Sequence, residues 1–224
     1  DSSGRTLTIT YDQDDRIETV TDPLDREWTF TYSNGELVEV TLPEIDSAFH
    51  SYEFTYNGNH DITSVTDLRG KVWTMEYDNA SKLTAWEDPL ENRWEYAYSS
   101  TYTDITNPIN KTVRHNYSSG MLASVVDPAS FSVSYVWDSD KNLIEVTDKR
   151  GKVWEFDYDS NGNLLWAENP LNKRSTFTYN SANDLLTAED PLENVWEFEY
   201  DQNGNLETVI DPLEREVVNC AYDG

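Results

Sequence analysis

Apolar and polar residues alternate in short runs that recur along the chain. In DPLENVWEFEYDQNGNL, residues 190–206, Trp196, Phe198 and Tyr200 share one parity and Glu197 and Glu199 the other. A two-residue period predicts a half-buried β-strand with aromatics on one face and carboxylates on the opposite one. The same slots hold Trp28, Phe30 and Tyr32; Trp73 and Tyr77; Trp94, Tyr96 and Tyr98; and Trp154, Phe156 and Tyr158. A second apolar run follows, with Leu at one position and Val, Ala, Ile or Trp three positions later, as in Leu143 with Val146 and Leu206 with Val209. That spacing breaks strict alternation and predicts a bulge or a strong twist in this strand.

Aligned on the last aromatic of each run, the chain reads Tyr11, Tyr32, Tyr56, Tyr77, Tyr98, Tyr117, Trp137, Tyr158, Tyr179, Tyr200 and Tyr222. The spacing is about 21 residues throughout, so self-similarity governs the whole chain. Residues 1–224 are expected to form a single array of about ten repeats that begins and ends in mid-repeat. The three aromatic slots take 24 of the 29 aromatics, which makes them a structural ladder and not a scatter of binding residues.

Turn chemistry separates the runs. All eight prolines, Pro23, Pro89 and Pro191 among them, fall at the junction after the Leu-containing strand, usually behind Asp or Asn. Proline presets φ for a turn, and Asp or Asn before it bonds back to the backbone. Two repeats without the proline carry Gly70 and Gly151 two residues further on, where others place Glu91, Glu193 or Glu214. If that slot requires positive φ, each glutamate costs about 1 kcal/mol. The other junction contains Asn161-Gly162 and Asn203-Gly204, both hairpin signals. Strand, turn, strand, turn therefore describes each repeat, and the fold class is all-β.

Two architectures satisfy this pattern. One is an antiparallel meander of hairpins; about twenty strands at roughly 4.8 Å would curl or spiral into a shell or tube. The other is a β-solenoid of stacked 21-residue coils. Tight turns at both ends of every strand favour the meander.

Composition narrows the function. With 16 Lys and Arg against 43 Asp and Glu, the formal net charge is -27, which repels polyanions and excludes nucleic acid as a partner. An aromatic content of 13% exceeds what a disordered acidic chain carries, so a folded structure is expected to bury these rings. The single cysteine, Cys220, precludes an internal disulfide, and His50, His60 and His115 lack zinc spacing. No apolar run spans a membrane and no signal-like start is present, so a soluble chain is expected. Glu197 with Glu199 and Glu155 with Asp157 repeat on a solvated strand face, which argues for surface and against acid-base catalysis. Asp138, Asp140 and Asn142 resemble calcium ligands, yet Asx turns account for them. Neither a catalytic set nor a cofactor is expected. The charge still permits weak, delocalised surface Ca2+ binding. Cys220 and His115 fill a ladder slot, which predicts a buried structural role for the cysteine.

The phrases YDSNGNL, DPLENVWEFEYD and DKRGKVWEFDYD resemble the tyrosine-aspartate repeats of bacterial Rhs proteins, a family related to teneurins and to the cocoon components of insecticidal toxin complexes. The resemblance spans Leu7 to Tyr222. It implies a β-hairpin ribbon wound into a hollow shell, secreted or at a cell surface, whose partners are further repeats and, in bacterial members, an enclosed C-terminal toxin. The start at Gly4-Arg5-Thr6-Leu7 matches the middle of a repeat, as in an excerpt of a longer array. Three functions follow as expectations: a section of a cargo-enclosing shell, a surface or filament-forming adhesive protein, and a glycan-binding face.

Overall fold

The computed structural model describes residues 6–44, 48 and 50–220; Gly4, Arg5 and Tyr222 lie outside them. The chain forms two compact units, residues 1–99 with 103–112 and residues 100–102 with 113–224. The first holds β1 (Thr8–Tyr11), β2 (Ile17–Thr21), β3 (Glu27–Ser33), β4 (Glu36–Thr41) and β5 (Ser51–Tyr56). It continues with β6 (Ile62–Thr66), β7 (Val72–Tyr77), β8 (Leu83–Glu87), β9 (Arg93–Tyr98) and β10 (Tyr102–Thr106). The second opens with β11 (Thr112–Ser118), β12 (Met121–Val126), β13 (Ser132–Trp137), β14 (Leu143–Thr147) and β15 (Val153–Tyr158). It ends with β16 (Leu164–Glu168), β17 (Arg174–Tyr179), β18 (Leu185–Glu189), β19 (Val195–Tyr200), β20 (Leu206–Ile210) and β21 (Glu216–Asn219). Within each unit successive strands pair antiparallel, so the chain is a meander and not a stack of parallel coils.

One loop geometry reverses the chain at both ends of the hairpins. In Asp190–Asn194 the Asp190 Oδ1 accepts the N–H groups of Leu192 (2.7 Å) and Asn194 (3.0 Å). The N–H of Glu193 donates to the Asp190 carbonyl, and the N–H of Asp190 to the Asn194 carbonyl, each at 3.0 Å. Asp201–Asn205 repeats every one of these bonds, with Asn203 and Asn205 as donors to Oδ1 at 2.8 and 2.9 Å. DPLEN and DQNGN are thus the same loop written in two vocabularies. Sixteen such loops occur among the described residues. Because a buried or strand-end N–H must find an acceptor, the side chain replaces backbone partners that a tight reversal cannot offer.

Where the fifth residue is Asn, its side chain closes the loop. Asn163 Nδ2 donates to Asp159 Oδ2 at 2.9 Å, and Asn205 and Asn194 do the same to Asp201 and Asp190. In two loops the partners are exchanged: Asn57 and Asn180 stand first, and their Nδ2 groups donate to Asp61 and Asp184. Hydrogen bonding from Asn163, first through its amide and then through its backbone, holds the Asp159 carboxyl below the usual carboxylate range.

The fourth loop residue is left-handed. Gly70, Gly151 and Gly204 take φ of 72°, 73° and 82°, and Glu91, Glu193 and Glu214 take 64°, 63° and 60° at the same place. Pro23, Pro89 and Pro191 sit second in their loops, where their fixed φ matches a type I turn. Asn161-Gly162 and Asn203-Gly204 lie in hairpin loops, as expected, with β15 paired to β16 and β19 to β20 around them. Only the glycine of each pair has positive φ, so these are type I turns followed by a left-handed residue and not two-residue type I′ turns. The type I′ geometry belongs to Asn34-Gly35 and Ser119-Gly120, where both residues are left-handed and Ser33 pairs with Glu36, Ser118 with Met121.

Each Leu-containing strand carries the anticipated bulge. Asp157 faces Trp166 and Tyr158 faces Leu164, which leaves Leu165 without an opposite residue. Ile144, Leu186 and Glu207 are skipped in the same way. The extra residue restores Leu143 and Val146 to one face despite their three-residue spacing. The short repeat ending at Tyr117 differs, since β9 and β10 pair without a shift.

Burial overturns one expectation. The rings were expected to be buried, yet the buried apolar side chains among the described residues are Ala85 and Val209, while Trp196 is 39% and Tyr98 41% exposed. Cys220, expected to be buried, is half-buried. Each unit is a one-layer sheet, so its apolar face packs only within itself.

Replacing Glu91 by Gly removes left-handed strain without touching a packed side chain, and is expected to raise stability by about 1 kcal/mol in chemical denaturation. The exchange D159N/N163D recreates the arrangement at Asn57 and Asp61 and is expected to leave stability within about 0.5 kcal/mol of wild type. N163D alone sets two acceptor-only carboxylates against each other and should cost about 1 kcal/mol; equal melting of both variants would contradict this pairing.

Candidate functional site

The two sheet faces are the functional surfaces of this fold. On the first, every expected ladder residue but Tyr98 sits opposite an aliphatic or another ring. Trp28 faces Val20, and Phe30 and Tyr32 face Val40 and Leu37. Trp73 faces Val65, and Tyr77 faces Leu83. Trp154 faces Val146, while Phe156 and Tyr158 face Ala167 and Leu164. Trp196 faces Ala188, with Phe198 and Tyr200 facing Val209 and Leu206. Aromatic strands are two apart, about 9.6 Å, too far for ring-on-ring contact, so the intervening aliphatic strand fills the gap. In the short repeat Tyr96 and Tyr98 face Ile105 and Thr103. Trp94 faces Trp86, outside the three slots, and the rings stack at 6.3 Å and 3°.

The last aromatic of the run also ties neighbouring repeats together. Pairing between β4 and β5 covers only Glu39 to Thr41, so the Leu37 carbonyl beside the bulge lies past the end of the ladder. Tyr56 from the next repeat donates its hydroxyl to it at 2.8 Å. Tyr98 reaches the Leu83 carbonyl at 2.7 Å, and where the slot holds Trp137 the indole Nε1 reaches Leu122 at 2.7 Å. Different ring chemistry thus satisfies the same acceptor. Burial, and then the Glu36 carboxylate, push the Tyr56 hydroxyl pKa up, which keeps it a donor. Tyr158 and Tyr200 are raised by burial and then by Asp138 and Asp184, loop aspartates of the preceding repeat. These carbonyl tethers escaped sequence reasoning; the signal available was the persistence of a polar-tipped ring where Phe would pack equally well.

The opposite face is acidic. Glu145, Glu155 and Glu168 stand directly opposite one another across three strands, and Glu39 faces Glu53. Arg174 closes the first row with a 3.0 Å bond to Glu168, and its guanidinium lies 3.8 Å from the Trp166 ring centre. Arg93 spans β8, bonding both Glu76 oxygens at 2.9 and 2.8 Å and Glu95 at 3.1 Å. Hydrogen bonds to Glu76 and then Glu95 hold the Arg93 pKa above its ordinary value. Ala85, opposite both glutamates, is 1% exposed beneath this bridge.

Glu155, Asp157, Glu197 and Glu199 are exposed. Asp157 accepts a bond from the Trp166 indole at 3.0 Å. In the Asp138 loop, Oδ1 accepts the N–H groups of Asp140 and Asn142, and Oδ2 the Asn142 amide. Among the described residues no cluster of three metal-type ligands forms. No helix among them is long and apolar enough to cross a membrane.

The fold is that of a tandem β-hairpin repeat protein. The teneurin YD-shell family model matches residues 2–132 and 123–211, and the chain belongs to that family. Among solved structures, the crystal structure of TcdB2-TccC3-TEV is similar over 94% of this chain and 15% of its own length, at 14% identity and a TM-score of 0.51. A Photorhabdus luminescens Tc holotoxin pore aligns over 98% of this chain and 17% of its own, at 10% identity and a TM-score of 0.43. The chain thus spans less than a fifth of the solved proteins it resembles. No curated protein matches its sequence.

Changing Tyr56 to Phe keeps the ring and strands the Leu37 carbonyl; the loss should be about 1 kcal/mol by urea denaturation, with an unchanged far-ultraviolet spectrum. An equally stable Phe variant would show that the tether contributes nothing.

Proposed function

We propose that this chain is a section of wall in a β-hairpin shell that encloses a toxin or another cargo. The observation that supports it most directly is the two-sided sheet: a face of half-exposed rings and aliphatics backed by a face of exposed carboxylates. A wall with water on one side and contents on the other calls for such asymmetry. Membership of the YD-shell family supports the reading, and the Tc complexes of similar fold add weight through the resemblance of their hairpins. In this reading the chain is not an enzyme, since its carboxylates serve loops and surface, and it needs no cofactor beyond weak surface Ca2+. Its partners are further repeats and the cargo, and its location is outside the cell or at its surface. A filament-forming or adhesive role is the alternative, and a glycan-binding role draws on the exposure of Trp196.

Electron microscopy of the native full-length protein is the test. A bounded hollow particle containing protein density is expected; an extended periodic fibre would reject the shell and favour the filament. Binding of a labelled glycan, lost on Trp196→Ala, would favour the glycan reading.

A further inference from the structure

The loop edge of the second unit carries a row of apolar residues that the shell reading does not use. Leu171, Leu192 and Leu213 occupy the third position of three successive loops on the same edge, and they are 73%, 77% and 70% exposed. Large apolar side chains in a row of this exposure mark an interaction surface. The edge is also electrically divided. Loop 148–152 holds Lys149, Arg150 and Lys152 against one Asp148, with Arg150 bonded to Asp148 and Lys149 to Asp127, and loop 169–173 ends in Lys173, so both loops are net basic. Loop 190–194 holds Asp190 and Glu193, and loop 211–215 holds Asp211 and Glu214 against one Arg215, which bonds Asp211, so both loops are net acidic. Lys173 and Glu193 are both exposed, and neither forms a salt bridge.

We propose that this edge pairs with the same edge of a second copy of the chain, about a two-fold axis between loops 169–173 and 190–194. Charge complementarity selects this occupant and this register. A two-fold there sets Leu171 against Leu192 of the second copy and the reverse, and places each Lys173 beside a Glu193. The outer basic loop, with Arg150, then meets the outer acidic loop, with Glu214. Moving the axis onto loop 190–194 would bring Glu193 against its own copy, and a same-direction stack would match every charge with its like. In this register Leu213 meets the Arg150 loop, so two leucines a side face each other; at on the order of 130 Å² each they bury roughly 520 Å², less than the about 1,200 Å² of a stable specific interface. The dimer is therefore weak, concentration-dependent and sensitive to salt.

Sedimentation equilibrium of the 224-residue chain over a concentration series tests the pairing independently of the shell. A reversible monomer–dimer equilibrium is expected. K173E should weaken it about tenfold, and K173E/E193K should restore it, since only facing residues can compensate. L192S should weaken it by a similar factor, while L90S, on the first unit, should not. Thermal melts unchanged from wild type establish that the variants are folded. A chain that stays monomeric into the millimolar range overturns the proposal and leaves the leucines to another occupant, such as further repeats. Failure of K173E/E193K to exceed K173E overturns it as well.

Discussion

The structure depends on one carboxylate or amide oxygen taking two backbone N–H groups at the start of each loop. A meander of short strands is mostly ends, and every end leaves donors that a reversing backbone cannot pair. Asp159 and Asp190 solve this identically at opposite edges, although one loop continues with Ser-Asn-Gly-Asn and the other with Pro-Leu-Glu-Asn. The Asn at the fifth position fills the second oxygen, and the exchange at Asn57 and Asp61 shows that what matters is one donor and one acceptor, in either order. The strands between are short enough that their register follows from where these loops close.

With the loops fixed, the bulge and the tyrosine become parts of one device. The bulge puts Leu143 and Val146 on the same face, and in doing so takes a carbonyl such as that of Leu37 out of the ladder. The polar tip of the following ring returns to that carbonyl, so a single residue both packs on its own hairpin and bonds to the previous one. Stability therefore accrues between neighbours along the array, as in other repeat proteins, and not around a central core. The exposure of Trp196 and Tyr98 is the direct result of having only one layer.

Much of this was legible in the residues. The period followed from the tyrosines, the facing of Trp196, Phe198 and Tyr200 from alternation, and the bulge from the spacing of Leu143 and Val146. The left-handed slot at Glu91 could be inferred because Gly70 and Gly151 occupy it elsewhere. The equivalence of the two loops was not legible, since DPLEN and DQNGN share only their first and last residues and those residues reveal their roles through hydrogen bonds. Asn203-Gly204 marked the hairpin but not its turn type: Asp201 captures the preceding backbone into a type I turn, and only Gly204 is left-handed. Burial was overestimated at the rings because alternation reports which face is apolar, not whether anything lies on it.

The column Glu145, Glu155 and Glu168 gives the sheet a preferred side. Sheets made of repeating, aromatic-rich strands are prone to stack face against face into dry, amyloid-like layers. Bringing two such columns together would desolvate like charges only a few ångströms apart, with Arg174 neutralising one end alone. The acidic side thus acts as a barrier to lamination, and removal from water at low cost is reserved for the other side.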